Sequence, residues 1–107
     1  MAPAELVPEP LLRQVVSVLH PRRIILFGSR ARGAADEESD YDLVVVFDDD
    51  VPDEMLSARR SYEARRGIPL PIDILPCREG TLARRARAVG SFAHTVLTEG
   101  VVVYERS

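Results

Sequence analysis

The chain has 107 residues, of which 46% are hydrophobic and 29% charged, and its formal net charge is -3. This length suits one domain with one hydrophobic core. No apolar run approaches the roughly 20 residues that cross a bilayer, and the negative charge argues against a general nucleic-acid coat while leaving a local basic patch open. The sequence therefore predicts a single soluble domain, residues 1–107, with no membrane contact.

The N-terminus and the cysteine content predict the compartment. The stretch MAPAELVPEP has neither the basic start nor the apolar core of a secretory signal. Cys77 is the single cysteine, so the chain has no internal disulfide to form. We therefore expect a protein of the reducing cytoplasm.

Helical and extended segments alternate along the first half of the chain. Apolar residues recur at helical spacing over residues 11–19, and the proline after His20 ends this helix. RIILF, residues 23–27, predicts a short buried strand, and SRARGAA after it predicts one or two helical turns before the polar loop ADEES. DYDLVVVF, residues 40–47, is apolar on both faces beyond Asp42, which is typical of a central strand.

The second half continues the alternation. DEMLSARRSYEARRG, residues 53–67, predicts a helix capped by Asp53 and ended near Gly67. PIDIL predicts a third strand, and a helix that runs from a Thr81 cap to Gly100 leads into the fourth strand, VVVYE. This order predicts an α/β or α+β domain. The acidic run at residues 48–50 is predicted to be a loop and not a ligand set, because its spacing follows no ligand geometry.

Three aspartates on predicted strands point to a metal site. Asp40 and Asp42 are two residues apart, so their side chains leave the same face of a strand, roughly 7 Å apart. Asp73 lies between Ile72 and Ile74, a poor place for a lone charge but a good one beside a cation. Carboxylates on adjacent strands suit a hard divalent ion such as Mg²⁺.

The segment before these aspartates predicts a phosphate site. Gly28 and Ser29 follow a strand and precede helical turns, so backbone N–H groups and a hydroxyl become available to an anion. Arg30 and Arg32 add positive charge, and Gly33 lets the chain turn back toward the aspartates. Phosphate donors so close to metal-binding carboxylates indicate a nucleoside triphosphate bound with Mg²⁺.

These motifs resemble those of a known family, the minimal nucleotidyltransferases of the DNA polymerase β-like superfamily. The matching segments are GSRARG at residues 28–33, SDYDL at residues 39–43, and Asp73 in PIDIL. Each half of the signature is common alone, but both in this order, with a third strand-borne aspartate, are specific. The resemblance implies the polymerase β-like fold, a small mixed β-sheet flanked by helices.

The resemblance also implies a reaction and roles for the site residues. Asp40 and Asp42 would ligate two Mg²⁺ ions, Asp73 would complete the acceptor-side ion and serve as general base or only as ligand, and Gly28 and Ser29 would hold the terminal phosphates of ATP or another nucleoside triphosphate.

Stand-alone domains of this kind resemble the antitoxin half of toxin–antitoxin pairs whose partner is a helical HEPN-domain ribonuclease, which some of them inactivate by adenylylation. Two alternatives stay open: a catalytically silent antitoxin of the same fold, and a transferase for small molecules like the aminoglycoside nucleotidyltransferases. The arginines of the two later helices are interpreted as solvated faces, with a partner or RNA surface as the less favoured alternative.

Overall fold

The computed structural model describes residues 6–33 and 39–106. The elements, in chain order, are α1 (Glu9–Leu19), β1 (Arg23–Phe27), β2 (Tyr41–Phe47), a 3₁₀ helix (Asp53–Leu56), α2 (Ala58–Arg65), β3 (Ile72–Arg78), α3 (Glu79–Arg85), α4 (Phe92–Glu99) and β4 (Val101–Glu105). The first five residues, residues 34–38 of the predicted turn and polar loop, and Ser107 lie outside this description. Within the described ranges, no helix is long and apolar enough to cross a membrane.

The four strands form one mixed sheet in the order β3-β2-β1-β4. β2 is parallel to β3 and antiparallel to β1, and β4 is antiparallel to β1. Every residue of β2 from Leu43 to Phe47 is buried, because this strand has neighbours on both edges and helices on both faces. The predicted mixed sheet flanked by helices, with a central second strand, is confirmed.

The two faces of the sheet carry separate hydrophobic cores. On one face, α1 buries Leu11, Val15 and Leu19 against the sheet, and Ala64 of α2 joins the same cluster. On the other face, Leu82 of α3 lies in the second cluster. Since a fully buried aliphatic side chain contributes about 1.5–3 kcal/mol, the larger cluster on the α1 and α2 face supplies most of the hydrophobic stabilisation. The hydrophobic cluster on the other face is smaller.

The single helix predicted over residues 53–67 is wrong. Ser57 has an extended backbone (φ -73°, ψ 157°) and separates the 3₁₀ helix from α2. Its hydroxyl accepts a hydrogen bond from the Arg60 N–H (3.2 Å), which makes Ser57 the cap in place of Asp53. Asp53 instead accepts a hydrogen bond from the Arg78 guanidinium (2.7 Å).

The long helix predicted from Thr81 to Gly100 is also two helices. Gly90 adopts φ 88°, which a continuing helix does not allow. The next residue, Ser91, caps α4 by accepting a hydrogen bond from the His94 N–H (3.1 Å). Val89, which a continuous helix would include, is 87% exposed in the connecting turn. α4 ends at Gly100 as predicted.

The acidic run after β2 is a loop, as predicted, and it ties the fold together. Asp48 accepts hydrogen bonds from the guanidinium groups of Arg22 (3.1 Å) and Arg106 (2.6 Å), which connects the start of β1 to the end of the chain. Asp49 accepts a hydrogen bond from the Gly80 N–H (2.8 Å) at the beginning of α3. These two acidic residues therefore serve the fold.

We expect Asp48→Asn to lower the melting temperature near pH 7 by a few degrees at most, because its ion pairs are partly exposed to solvent. Hydrogen bonds from Arg106 and then Arg22 hold the pKa of Asp48 below its ordinary value of 3.8. Their stabilisation is therefore present above that value and is lost as the pH falls through the lower, folded-state pKa.

Thermal melts from about pH 7 to about pH 2 should show the variant approaching the wild type in acid. Asp50→Asn removes the same charge from an exposed neighbour with no ion pair among the described residues, and it is the control. A constant gap between Asp48→Asn and wild type across this range would refute the ion-pair explanation.

Candidate active site

The strand register brings two of the predicted ligands together. Asp42 on β2 is the register partner of Asp73 on β3, in a parallel pair. On its other side Asp42 is opposite Phe27, the last residue of β1, and Gly28 follows directly. Neighbouring strands lie roughly 4.8 Å apart, so the glycine turn and the two carboxylates meet at one end of the sheet.

The backbone of Gly28 lies against the carboxylate of Asp42. A Cβ at Gly28 would lie 2.7 Å from Asp42 Oδ2, closer than non-bonded atoms approach, and the residue has φ 79°. Glycine is therefore favoured here by its backbone conformation, and a side chain at this position would displace the Asp42 carboxylate. The sequence indicated only the turn, because a contact between two separate strands leaves no local pattern.

The charge environment of Asp42 places the other two aspartates near it. Asp42 is half-buried, whereas Asp40, just before β2, and Asp73 are exposed. Burial is the main cause that raises the pKa of Asp42, and the negative charges of Asp40 and Asp73 raise it further. Asp42 has no hydrogen bond or ion pair with any other described residue, so nothing in that part of the chain compensates its charge.

Asp73 is not enclosed by its isoleucine neighbours. Ile74 is buried and Ile72 half-buried on one face of β3, while Asp73 is exposed on the other. The alternation of side chains along a strand separates them, and β3 is an edge strand. Solvent therefore reaches the charge of Asp73.

The donor chemistry fits a hard divalent cation, and the arrangement is partly formed. Mg²⁺ prefers oxygen donors such as carboxylates, and the negative charges of Asp40 and Asp73 both act on Asp42. Within residues 6–33 and 39–106, however, no three acidic, histidine or cysteine side chains are already arranged to hold a metal ion. The side chains of Asp40 and Asp73 would have to rotate to share one coordination shell with Asp42. Both side chains are exposed, so they have room to rotate.

The Gly-Ser segment forms one hydrogen-bonded turn. The Ala31 N–H donates to the Gly28 carbonyl (3.1 Å) and the Arg32 N–H to the Ser29 carbonyl (3.2 Å). The turn covers residues 29–33, and the rest of the one or two helical turns predicted here lies outside the described residues. Gly33 has φ 74°, and a Cβ there would have no neighbour within 4 Å, so glycine is needed for its backbone conformation alone.

The two arginines of the turn differ in their surroundings. Arg30 Nε donates to the Ser39 carbonyl (2.9 Å), and its guanidinium lies 3.9 Å from the centre of the Tyr41 ring. Tyr41 leaves β2 on the face opposite Asp42, so these contacts orient the entry into β2. Arg32 is exposed. Contact of either arginine with phosphate stays a prediction.

An aromatic pair beside the carboxylates was missed by the sequence reasoning. The Phe92 ring, at the start of α4, packs edge-on against Phe27 with the ring centres 5.2 Å apart. Phe92 is nevertheless 57% exposed. The sequence did contain a signal for this pair. Phe92 directly follows Gly90 and Ser91, which start a new helix, and an apolar side chain in the first turn of a helix contacts the surface on which that helix packs.

Comparison with known proteins agrees with this fold. The chain matches a crystal structure described as a toxin-antitoxin with AMP-PNP at TM-score 0.60 and 16% identity, over 94% of this chain and 75% of that one. It matches a candidate nucleotidyltransferase from Sulfolobus solfataricus at TM-score 0.51 and 20% identity, over 94% and 91% of the two chains. No curated protein matches the sequence.

The decisive comparison is with protein families. Residues 10–92 match the family model described as nucleotidyltransferase domain, and this range contains β1, β2, β3 and all the predicted site residues. Since the match covers well over half of the chain, the protein belongs to the nucleotidyltransferase domain family.

Proposed function

We propose that this protein transfers a nucleoside monophosphate, AMP from ATP, to a hydroxyl group of a partner protein in a Mg²⁺-dependent reaction. The observation that carries the proposal is the contact between the Gly28 backbone and the Asp42 carboxylate, with Asp73 as the register partner of Asp42. Metal-dependent nucleotidyl transfer needs a phosphate-binding turn next to a pair of metal ligands.

The roles proposed for the residues are those that the resemblance of their motifs to the nucleotidyltransferases implies. Asp40 and Asp42 would hold both ions, and Asp73 would complete the ion on the acceptor side. When bound, the ions stabilise negative charge on the attacking and leaving oxygens. Gly28 and Ser29 would hold the terminal phosphates, and the Ser29 hydroxyl has no hydrogen-bond partner among the described residues, which leaves it able to donate to a phosphate oxygen.

The proposed reaction is a substitution at the α-phosphorus of the triphosphate. The acceptor oxygen forms a new bond to this phosphorus, the bond from phosphorus to the oxygen bridging the α- and β-phosphates breaks, and pyrophosphate leaves. The hydroxyl proton passes to a carboxylate oxygen of Asp73 or to water. Asp73 suits this role because it is exposed to an incoming hydroxyl and adjoins Asp42.

We further propose that the acceptor is a protein partner, a helical HEPN-type toxin for which this chain is the antitoxin. The fold likeness to a toxin-antitoxin structure with AMP-PNP supports a protein partner and an adenine nucleotide. The alternative of a silent antitoxin has one supporting observation, since no complete metal-ligand set is already arranged among the described residues.

The test is the intact mass of a partner. The chain is co-expressed with the helical protein encoded beside it, and the partner is expected to gain the mass of one or more AMP units. The same partner co-expressed with the Asp42→Asn chain should keep its unmodified mass. An unmodified partner in a stable complex with the wild-type chain would favour the silent antitoxin, and a partner neither modified nor bound would favour a small-molecule acceptor.

A further inference from the structure

A cleft of about 570 Å³ opens between β3 and the pair α3–α4. Val44 and Leu75, which line it, are each two residues beyond a proposed metal ligand, Asp42 and Asp73 respectively. Side chains two residues apart on a strand share a face. Val44 and Leu75 therefore lie on the same face of the sheet as the two proposed ligands, although neither aspartate lines the cleft itself.

The geometry of the proposed reaction decides which substrate can reach this cleft. The turn that would hold the terminal phosphates follows β1, whereas Asp73 and the cleft belong to β3, and β2 with Asp42 lies between them. The attacking and leaving oxygens of a phosphoryl transfer lie roughly in line. Pyrophosphate leaving on the β1 side therefore requires the acceptor to approach from the β3 side, where the cleft lies.

The lining of the cleft suits an apolar segment. Leu75 is 37% exposed, Phe92 is 57% exposed, and both line the cleft. The cleft therefore exposes apolar surface to solvent, which is typical of an interaction site. Burial raises the pKa of the Cys77 thiol to about 11, so this lining residue is neutral at physiological pH. The cleft residues from β2 and β3, which form its floor, are Val44, Leu75, Pro76 and Cys77, and none of them is charged.

The rim of the cleft is positively charged. Arg84 and Arg85, in the last turn of α3, line it and are exposed, and neither has an ion pair with a carboxylate within the described residues. Seven of the other described arginines do have ion pairs of this kind. Two unpaired guanidinium groups beside an apolar floor favour acidic residues in whatever binds there.

We infer that this cleft binds the acceptor polypeptide, as an apolar segment with acidic flanking residues that presents its hydroxyl to Asp73. The inference deepens the proposed function and rests on it. RNA is disfavoured as the occupant, because a phosphodiester backbone gains little from the apolar floor and would run beside Asp40, Asp42 and Asp73.

The test uses the full chain and two fluorescently labelled peptides in fluorescence-polarisation titrations. One peptide has a central Leu-Tyr-Leu between glutamates, and its twin has lysines in their place. The acidic peptide should bind at least about tenfold more tightly than its twin. The double variant Arg84→Glu/Arg85→Glu should lose this preference, whereas Arg66→Glu, an exposed arginine at the end of α2 and off the cleft, should keep it.

ATP binding with Mg²⁺, measured in the same variants, separates this inference from the proposed function. We expect both charge variants to bind ATP as the wild type does. A wild type that selects the acidic peptide but binds no ATP would refute the proposed function and leave the docking surface standing. The inference would be overturned if the wild type bound the twins equally, bound a single-stranded RNA oligonucleotide more tightly than the acidic peptide, or formed a dimer that blocks both peptides. It would also be overturned if the Arg84→Glu/Arg85→Glu variant kept the peptide preference and lost ATP binding.

Discussion

Replacing Asp42 with asparagine should abolish nucleotidyl transfer and, at the same time, raise the melting temperature of the ligand-free protein. Loss of an outer-shell partner of a metal ligand costs about 10- to 100-fold in activity, so loss of a ligand itself should cost more than about a hundredfold. The stabilisation arises because Asp42 is half-buried, has negative neighbours in Asp40 and Asp73, and makes no compensating bond within the described residues.

The expected gain in stability is up to about 1 kcal/mol, the repulsion of two charges ~4 Å apart in water. Thermal melts of wild type and Asp42→Asn, each with and without Mg²⁺ and ATP, measure both effects. Ligand that binds the folded state raises the melting temperature, and the variant should lose most of this increase.

Asp50→Asn is the charge-matched control for these melts, since Asp50 is exposed and belongs to the loop after β2. It should leave both transfer and the ligand-dependent increase unchanged. A variant Asp42→Asn that is less stable than wild type without ligand, yet stabilised equally by ligand, would mean that Asp42 serves the fold and not the chemistry.

The second large effect is expected for Gly28→Ala. A left-handed backbone costs an L-residue about 1–2 kcal/mol, and here the added Cβ would also lie 2.7 Å from Asp42 Oδ2. The carboxylate has to move, and a displacement of about 1 Å at a reacting centre can cost about a hundredfold in rate. We therefore expect a lower melting temperature and a loss of transfer activity of about a hundredfold.

Gly67→Ala separates the two causes. Gly67 has φ 82°, close to that of Gly28, but a Cβ there would have no neighbour within 4 Å. Both alanine variants should be destabilised by the backbone, while only Gly28→Ala should lose activity, measured as pyrophosphate release or as modified partner per unit of folded protein. Equal activity of the two variants would show that the Gly28–Asp42 contact has no part in catalysis.

Local patterns determined the elements of this protein and the candidate ligands. The bounds of β1 and β4 agree with the sequence prediction, and those of β2 differ by one residue. A short run of β-branched and other apolar residues between turn residues is too short for a helix, so it is buried as a strand. The Gly-Ser turn and the Asp-x-Asp pair are contiguous motifs, so they too were visible from the sequence. The family match over residues 10–92 spans both motifs.

The helix boundaries were where local patterns competed. Apolar spacing favoured two long helices, but the Ser57 cap and the positive φ of Gly90 divided each of them. A cap satisfies N–H groups that a helix start leaves without partners, and the thin apolar stripes of these segments did not outweigh it.

Tertiary structure alone decided which of the motifs meet. The pairing of Asp42 with Asp73, the approach of Gly28 to Asp42, and the position of Arg30 on the Tyr41 ring each depend on the register between segments distant in sequence. A period of two residues assigns a side chain to a face, but it does not determine which residue of another strand lies opposite. The cleft has the same origin, since residues of β2, β3, α3 and α4 that are distant in sequence line it together.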